Sequence, residues 1–281
     1  MKKLSALLGL VLALSACGNN ASPTVEAISA VKQDPIYTSY QSRIIGDNNL
    51  IKVKMDGSNV DSNLRSYLNA FGIISLGEGV CSGTHIGNGY VLTAGHCILP
   101  EGQQGALANK ECSKIKVYWG YRGSPETGSP KPGVSLVSQC TKVVYAELSG
   151  VRDFAILKMD KAPTASIPIS KSGARASAGT KLTIFGYPQG RPLEWSQYCK
   201  LMNGSTESRN ISTQFIHQCD TEPGNSGSSV LAINSAGKPM VIGIHDAGTD
   251  QYNIATHFAD AVKEMKTKSG FDLIASTQIS L

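Results

Sequence analysis

PGNSGSSV, Pro223 to Val230, is the stretch on which the reading of this chain turns. Gly224 and Gly227 bracket Ser226, and an apolar run follows (Val230, Leu231, Ala232, Ile233). A serine hydroxyl is a weak nucleophile at neutral pH. One that does chemistry needs an exposed turn, a nearby base and donors for a developing oxyanion. Glycine permits such a turn because it reaches backbone angles closed to other residues. The N–H groups of Gly224 and Ser226 would then face one small cavity. A Gly/Asn/Ser-rich turn between two strands is the competing reading, and the segment alone does not separate the two.

Upstream residues shift the balance. TAGHC (Thr93 to Cys97) follows the strand-like run NGYVLTA, and RDFAILKM (Arg152 to Met159) sets an aspartate ahead of another strand. His96, Asp153 and Ser226 therefore come in the order His, Asp, Ser, as in chymotrypsin-like enzymes and unlike subtilisins or α/β-hydrolases. With Cys81 in CSGTHIGNGYVLTAGHC ahead of Cys97, the chain from about Ile44 to Ile274 resembles a chymotrypsin-like serine protease. The detailed pattern is most similar to the bacterial glutamyl endopeptidase branch, and Phe-Gly-Tyr-Pro at 185–188 also matches it.

The resemblance implies an all-β fold: two six-stranded antiparallel Greek-key barrels, the active site in the cleft between them, and a C-terminal helix. It implies a Cys81–Cys97 bridge, a triad of His96, Asp153 and Ser226, and an oxyanion hole from Gly224 and Ser226. The substrates it implies are peptides or proteins.

The rest of the chain bounds the reading. With 41% apolar and 17% charged residues, the 281-residue chain can build a substantial core. Its 29 glycines and many short apolar runs favour β structure. MKKLSALLGLVLALSAC reads as a secretory leader: Lys2 and Lys3, an apolar stretch from Leu4 to Leu14, then small residues. Leu14-Ser15-Ala16-Cys17 resembles the bacterial lipobox, which implies acylation of Cys17 and a lipid anchor in the membrane. An ordinary signal peptide cut nearby is the alternative. Gly18 after the cysteine implies the outer membrane, and the expected location is an exported lipoprotein or the periplasm, with release after cleavage of the propeptide. Setting Cys17 aside leaves six of seven cysteines (7 − 1 = 6), an even number for an exported chain. Beyond Cys81–Cys97, the local pairs Cys112–Cys140 and Cys199–Cys219 are the expected ones among several connectivities. No clustered His/Cys spacing suggests zinc, and no cofactor is expected. The net charge of +5, or +3 without Lys2 and Lys3 (5 − 2 = 3), is too mild to argue for nucleic acid. A monomer is expected.

The expected organisation is a leader over 1–16, a tether or propeptide over 17–43 and a protease domain over 44–281. The first barrel is expected over about 44–150, the second over about 151–255, and the helix over about 256–269. RIIGDN (Arg43 to Asn48) resembles the activation junction of trypsin-like zymogens, cut between Arg43 and Ile44. Those zymogens pair the new terminus with an aspartate just before the nucleophile, and here that position is Asn225. His85 and His217 lie in strand-like stretches and read as structural. His257 reads as a capping or packing residue.

Substrate choice pulls two ways. Asp220 stands where trypsin-like enzymes bind lysine or arginine. Thr221 and His245 match the residues with which glutamyl endopeptidases hold a substrate carboxylate, and Gly248 lies on the same GIHDAG segment. Cleavage after glutamate is the favoured expectation and cleavage after lysine or arginine the runner-up. Two other readings stand beside it: a catalytically silent protease-fold binding protein, and a serine esterase, against which GNSGS departs from GxSxG.

Overall fold

The computed structural model describes residues 42–77, 79–100, 102–123, 133–169, 175–203 and 213–277. The expected leader, Cys17, the expected tether up to residue 41 and most of the loop 123–133 lie outside these residues.

In chain order the first half gives β1 (Ile51–Lys52) and a single helical turn, α1 (Ser62–Arg65), capped by Asp61. Then follow β2 (Phe71–Ser75), β3 (Val80–His85), β4 (Tyr90–Thr93), β5 (Gly105–Lys110), β6 (Lys116–Trp119), β7 (Leu136–Ser149) and β8 (Arg152–Met159). Six of these strands close an antiparallel barrel in the order β7-β6-β2-β3-β4-β8, with β8 pairing back to β7 and β5 flanking β7. The second half gives β9 (Lys181–Gly186), β10 (Glu194–Trp195), β11 (Cys199–Lys200), β12 (Gln214–His217), β13 (Ser229–Ile233), β14 (Pro239–Gly248) and β15 (Asn253–His257). Its order is β11-β9-β13-β14-β15-β12, and a Leu201–His217 bridge returns the end of β11 to β12. The helices α2 (Phe258–Ser269) and α3 (Leu273–Thr277) close the described chain. This is the all-β, two-barrel architecture with a C-terminal helix that the motifs implied.

Three boundaries differ from the sequence reading. The first barrel does not begin at Ile44: β1 pairs with β10, and the segment before it lies on the second barrel. Its backbone donors find a carboxylate there, since Ile45 N and Asn49 N both donate to Asp220. The strand β8 closes the first barrel rather than opening the second. Its interior run, Phe154 to Leu157, is buried and needs partners on both edges, which β4 and β7 supply. Lastly, α2 starts at Phe258, because Asn253 to His257 are held as a strand between β14 and β12.

The packing explains why the two halves hold one relation. Phe71 of β2 stacks on Phe185 of β9 at 4.8 Å, and Phe185 stacks on Trp195 at 5.9 Å. The hydroxyl of Tyr187, fully buried, donates to Phe71 O at 2.9 Å, which meets its need for a partner away from water. On α2, Phe258, Ala261 and Met265 are buried at helical spacing, and the helix stops at Gly270, a left-handed cap with φ 71°. Bridges Cys81–Cys97, Cys112–Cys140 and Cys199–Cys219 each join neighbouring segments.

Of the five histidines, four are buried, and burial is the leading cause of a lowered pKa in His85, His217 and His257. His85 is locked in one neutral tautomer: Gly89 N donates to Nε2 at 3.1 Å, so Nδ1 carries the proton and donates to Ala165 O at 2.7 Å. Burial lowers its pKa. His257, at the start of α2 without capping it, packs on Phe215 at 4.8 Å, and burial lowers its pKa to about 4. Burial, with His245 second, holds His217 well below the ordinary histidine range. A folded-state pKa below the unfolded value means that the unfolded chain binds more protons in acid. The stabilising effect is complete above about pH 6.5 and is lost as pH falls toward about 4. Chemical unfolding should show stability falling from pH 7 to pH 4.5, with a shallower slope in His257→Gln; an unchanged slope would contradict the assignment.

Candidate active site

The Ser226 turn is shaped by crowding. Gly227 has φ 84°, and a Cβ there would lie 2.2 Å from Thr93 Oγ1 and 2.5 Å from Ser82 O. Only glycine allows the turn to press so closely on the first barrel. The loop carrying His96 is equally tight, for a Cβ on Gly95 would lie 2.0 Å from Glu147 O on β7. These contacts explain why both motifs carry glycine where they do.

Two of the three candidate residues are joined directly. His96 Nδ1 lies 2.6 Å from Asp153 Oδ2, and His96 N donates to Asp153 Oδ1 at 2.9 Å. With an ionised carboxylate accepting at Nδ1, the proton sits there and Nε2 keeps its lone pair, as a general base requires. Asp153 is fully buried. Its own N–H donates to Thr256 Oγ1 at 2.9 Å, and that hydroxyl donates to Asp246 Oδ2 at 2.7 Å. The aspartate of the first barrel is thus tied to two strands of the second. Ser226, 5% exposed, is anchored through its backbone to the first barrel. Its carbonyl accepts from Ser82 N at 2.8 Å and lies 3.9 Å from Cys97 Sγ, the residue after His96.

His96, Cys81 and Cys97 offer ligand atoms within 4.8 Å of one another. Both sulfurs are spent in the disulfide, so this group cannot present the thiolates that a zinc site needs.

A second cluster lies at the Thr221–His245 end of the site. Thr221, His245, His217 and Asn253 are fully buried, and Asp220 is 2% exposed. His217 meets His245 edge-on at 5.4 Å. Burial, with His96 a smaller cause, lowers the pKa of His245 to about 3, so its ring is neutral at physiological pH. The segment before β1 packs on this cluster. Ser42 Oγ lies 2.8 Å from His245 Nε2. Arg43 N donates to Thr221 Oγ1 at 3.2 Å and to Asn253 Oδ1 at 3.0 Å. Arg43 O accepts from Thr221 N at 3.0 Å and from Asn253 Nδ2 at 2.7 Å. Asp220 spends both oxygens on this segment, accepting from Ile45 N (2.7 Å), Asn49 N (2.8 Å) and Asn49 Nδ2 (3.0 Å).

Gly248 ends β14, paired with Asn253. The ladder between β13 and β14 stops at Ile244, so among the described residues Ala247 and Gly248 pair with β15 alone. That leaves one backbone edge on which an extended peptide can lie.

Asn253, Ser42, Ser82, Thr256 and Asp246 were not legible as site residues. Their parts depend on which strands meet, and no local motif marks them. Asp246 sits at a bulge in β14, between the ladder pairs of His245 and Ala247, which explains its inward turn despite a strand-like sequence.

A family model described as a trypsin-like peptidase domain matches residues 79–244. Among solved structures, a Glu endopeptidase in complex with MPD matches with a TM-score of 0.57 at 22% identity, covering 81% of this chain and 100% of that one. An inactive form of Rv3671c from M. tuberculosis H37Rv matches with a TM-score of 0.52 at 14% identity, covering 79% of this chain and 94% of that one. No curated protein matches. The two structures share the fold, and the family match spans His96, Asp153 and Ser226: the chain belongs to the trypsin-like peptidase domain family.

Proposed function

We propose that the protein is an exported serine endopeptidase that cleaves after glutamate. The observation that carries the serine mechanism is the 2.6 Å pair of His96 and Asp153 beside the Ser226 turn. Ser226 Oγ attacks the scissile carbonyl while His96 Nε2 takes its proton. The negative oxygen of the tetrahedral intermediate is met by the N–H groups of Gly224 and Ser226. His96 then hands the proton to the leaving amine, and water, activated by the same imidazole, releases the acyl group from Ser226. Asp153 holds the imidazole in its tautomer and stabilises the imidazolium.

The glutamate preference rests on Thr221, His245 and the placement of Asp220. A carboxylate side chain entering this pocket finds the Thr221 hydroxyl and an imidazole N–H in place of the Ser42 oxygen. The neutral ring can donate without first taking up a proton. Asp220, the residue that would attract lysine or arginine, is already saturated by backbone and amide donors from residues 45–49. A cationic substrate would have to displace them. Among the two specificities, the geometry therefore favours the anion.

The Ser42–Arg43 segment gives the junction a second meaning. While the chain is continuous, Ser42 occupies His245, so cleavage between Arg43 and Ile44 both frees the pocket and severs the tether to the proposed lipid on Cys17. No cysteine lies between Gly18 and Val80, so no disulfide can bridge the cut. Access of a protease to that bond requires Arg43 O to leave Thr221 and Asn253. Asn225 supplies no charge for a trypsin-like terminal ion pair.

Three measurements follow. Ser226→Ala and His96→Ala should each lower kcat by about 10^6-fold without loss of folding, because the groups act as a unit; near-wild-type cleavage by either would overturn the serine mechanism. Peptide-library profiling should return sites after glutamate, and His245→Ala should lose about a hundredfold more activity on glutamyl peptides than on a neutral-residue ester. Cleavage confined to lysine or arginine would identify Asp220 as the specificity residue instead. In detergent phase partitioning, the uncut protein should enter the detergent phase and the cut domain the aqueous phase with raised activity; a cut domain that stays with detergent would refute the tether.

A further inference from the structure

The turn that carries Ser226 contains four successive peptide planes, and each is pinned by its carbonyl. Pro223 O accepts from Gln189 N, Gly224 O from Ser82 Oγ at 2.8 Å, Asn225 O from Ser228 N at 2.9 Å, and Ser226 O from Ser82 N at 2.8 Å. A trans peptide sends its N–H to the side opposite its C=O. The carbonyl partners of Pro223 and Asn225 thereby fix which way the N–H groups of Gly224 and Ser226 face. Gly224 is the soft point of the turn, with φ 98° and no Cβ to restrict it. Its preceding peptide can flip only by rotation about the bonds flanking it, and the flanking carbonyls are held from two sides.

Two of the four pins come from one residue of the other barrel. Ser82 is 1% exposed and its hydroxyl is fully used: it donates its only proton to Gly224 O and accepts from Tyr187 N at 2.9 Å. Its carbonyl accepts from Thr93 Oγ1 at 2.8 Å, at the end of β4 and three residues before His96. Ser82 therefore links the His96 loop, the Tyr187 turn and the Gly224 peptide through a single side chain and its backbone. A glycine or alanine would close the same strand pairing, so β3 itself makes no demand for the hydroxyl.

We propose that Ser82 is a positioning residue for the oxyanion hole, whose hydroxyl holds the Gly224–Asn225 peptide and keeps the Gly224 N–H turned toward the substrate oxygen. The proposal rests on the reading of Ser226 as nucleophile with Gly224 and Ser226 as donors. The hydroxyl does not touch the substrate. It limits the rotation of Gly224, so its effect belongs to the transition state, where charge appears on the oxygen, and not to the binding of the uncharged carbonyl.

Ser82→Ala removes the hydroxyl and keeps the backbone N–H on Ser226 O. It should lower kcat by tenfold to about a hundredfold, below the 10²–10³ that loss of a whole donor costs, with KM nearly unchanged. Affinity for a peptidyl boronic acid, whose tetrahedral adduct places an oxygen in the hole, should fall in parallel, while affinity for the matching product peptide should not. Ser82→Gly should behave alike, which guards against an effect of the added methyl in a tight site. Ser138→Ala is the control. It loses a buried serine hydrogen bond in the same barrel, in which Ser138 Oγ accepts from Trp119 Nε1 at 2.8 Å, and should lower Tm while leaving kcat intact. Wild-type kcat in Ser82→Ala, unchanged boronate affinity, or an equal kcat loss in Ser138→Ala at equal Tm would each overturn the proposal. Full activity in Ser226→Ala would instead remove the nucleophile reading beneath it.

Discussion

The residues proposed to be catalytic are divided between two barrels, and everything at the site depends on how those barrels are held in register. His96 and Asp153 belong to the first and Ser226 to the second, so a small slip between them would separate the proposed base from the proposed nucleophile. Several independent contacts prevent it. Asp153 N is bound by Thr256, Ser226 O by Ser82 N, and Phe71 O by the Tyr187 hydroxyl, while Phe71 and Phe185 stack across the junction. The polar links supply direction and the aromatic stack supplies buried area. Each link is shielded from water, where a hydrogen bond is electrostatically stronger and its loss leaves an unsatisfied buried group.

The same logic governs the pocket. A buried carboxylate without partners is costly, and Asp220 avoids that cost through three donors from residues 45–49. Those donors are the basis for proposing that it does not bind a cationic side chain. His245 avoids the cost differently, by remaining neutral, as its lowered pKa reflects. Asp220 and His245, which pull toward opposite specificities when read along the chain, thus differ in how their burial is met. The segment that contacts both is the one just before β1, so the chain's own approach to the domain helps to define the pocket.

What the sequence disclosed and what it concealed divide along a physical line. His96, Asp153 and Ser226 stood out as candidates because their motifs follow one another in the order His, Asp, Ser, although the Ser226 turn alone did not mark itself. Cys112–Cys140 and Cys199–Cys219 were legible as local pairs, and Cys81–Cys97 through the family resemblance. The assignment of β8 to the first barrel was not, because an apolar run looks the same whichever barrel it closes. The attachment of β1 to β10 and the docking of Ser42 and Arg43 on Thr221, His245 and Asn253 were hidden for a different reason. They join positions well over a hundred residues apart, and no periodicity reports such a contact. Asn253 illustrates the point: it reads as an ordinary polar residue at a strand start, yet its amide grips both the N–H and the carbonyl of Arg43.

The central claim is that Ser226 is a nucleophile activated by the His96–Asp153 pair. Its most direct measurement is labelling of the cut protein with a fluorophosphonate, followed by peptide mapping of the adduct. The account predicts one stoichiometric adduct, on Ser226 Oγ, with its rate of formation collapsing in His96→Ala and falling in Asp153→Asn. An adduct on a different residue, or labelling of Ser226 at an unchanged rate when His96 is removed, would contradict it.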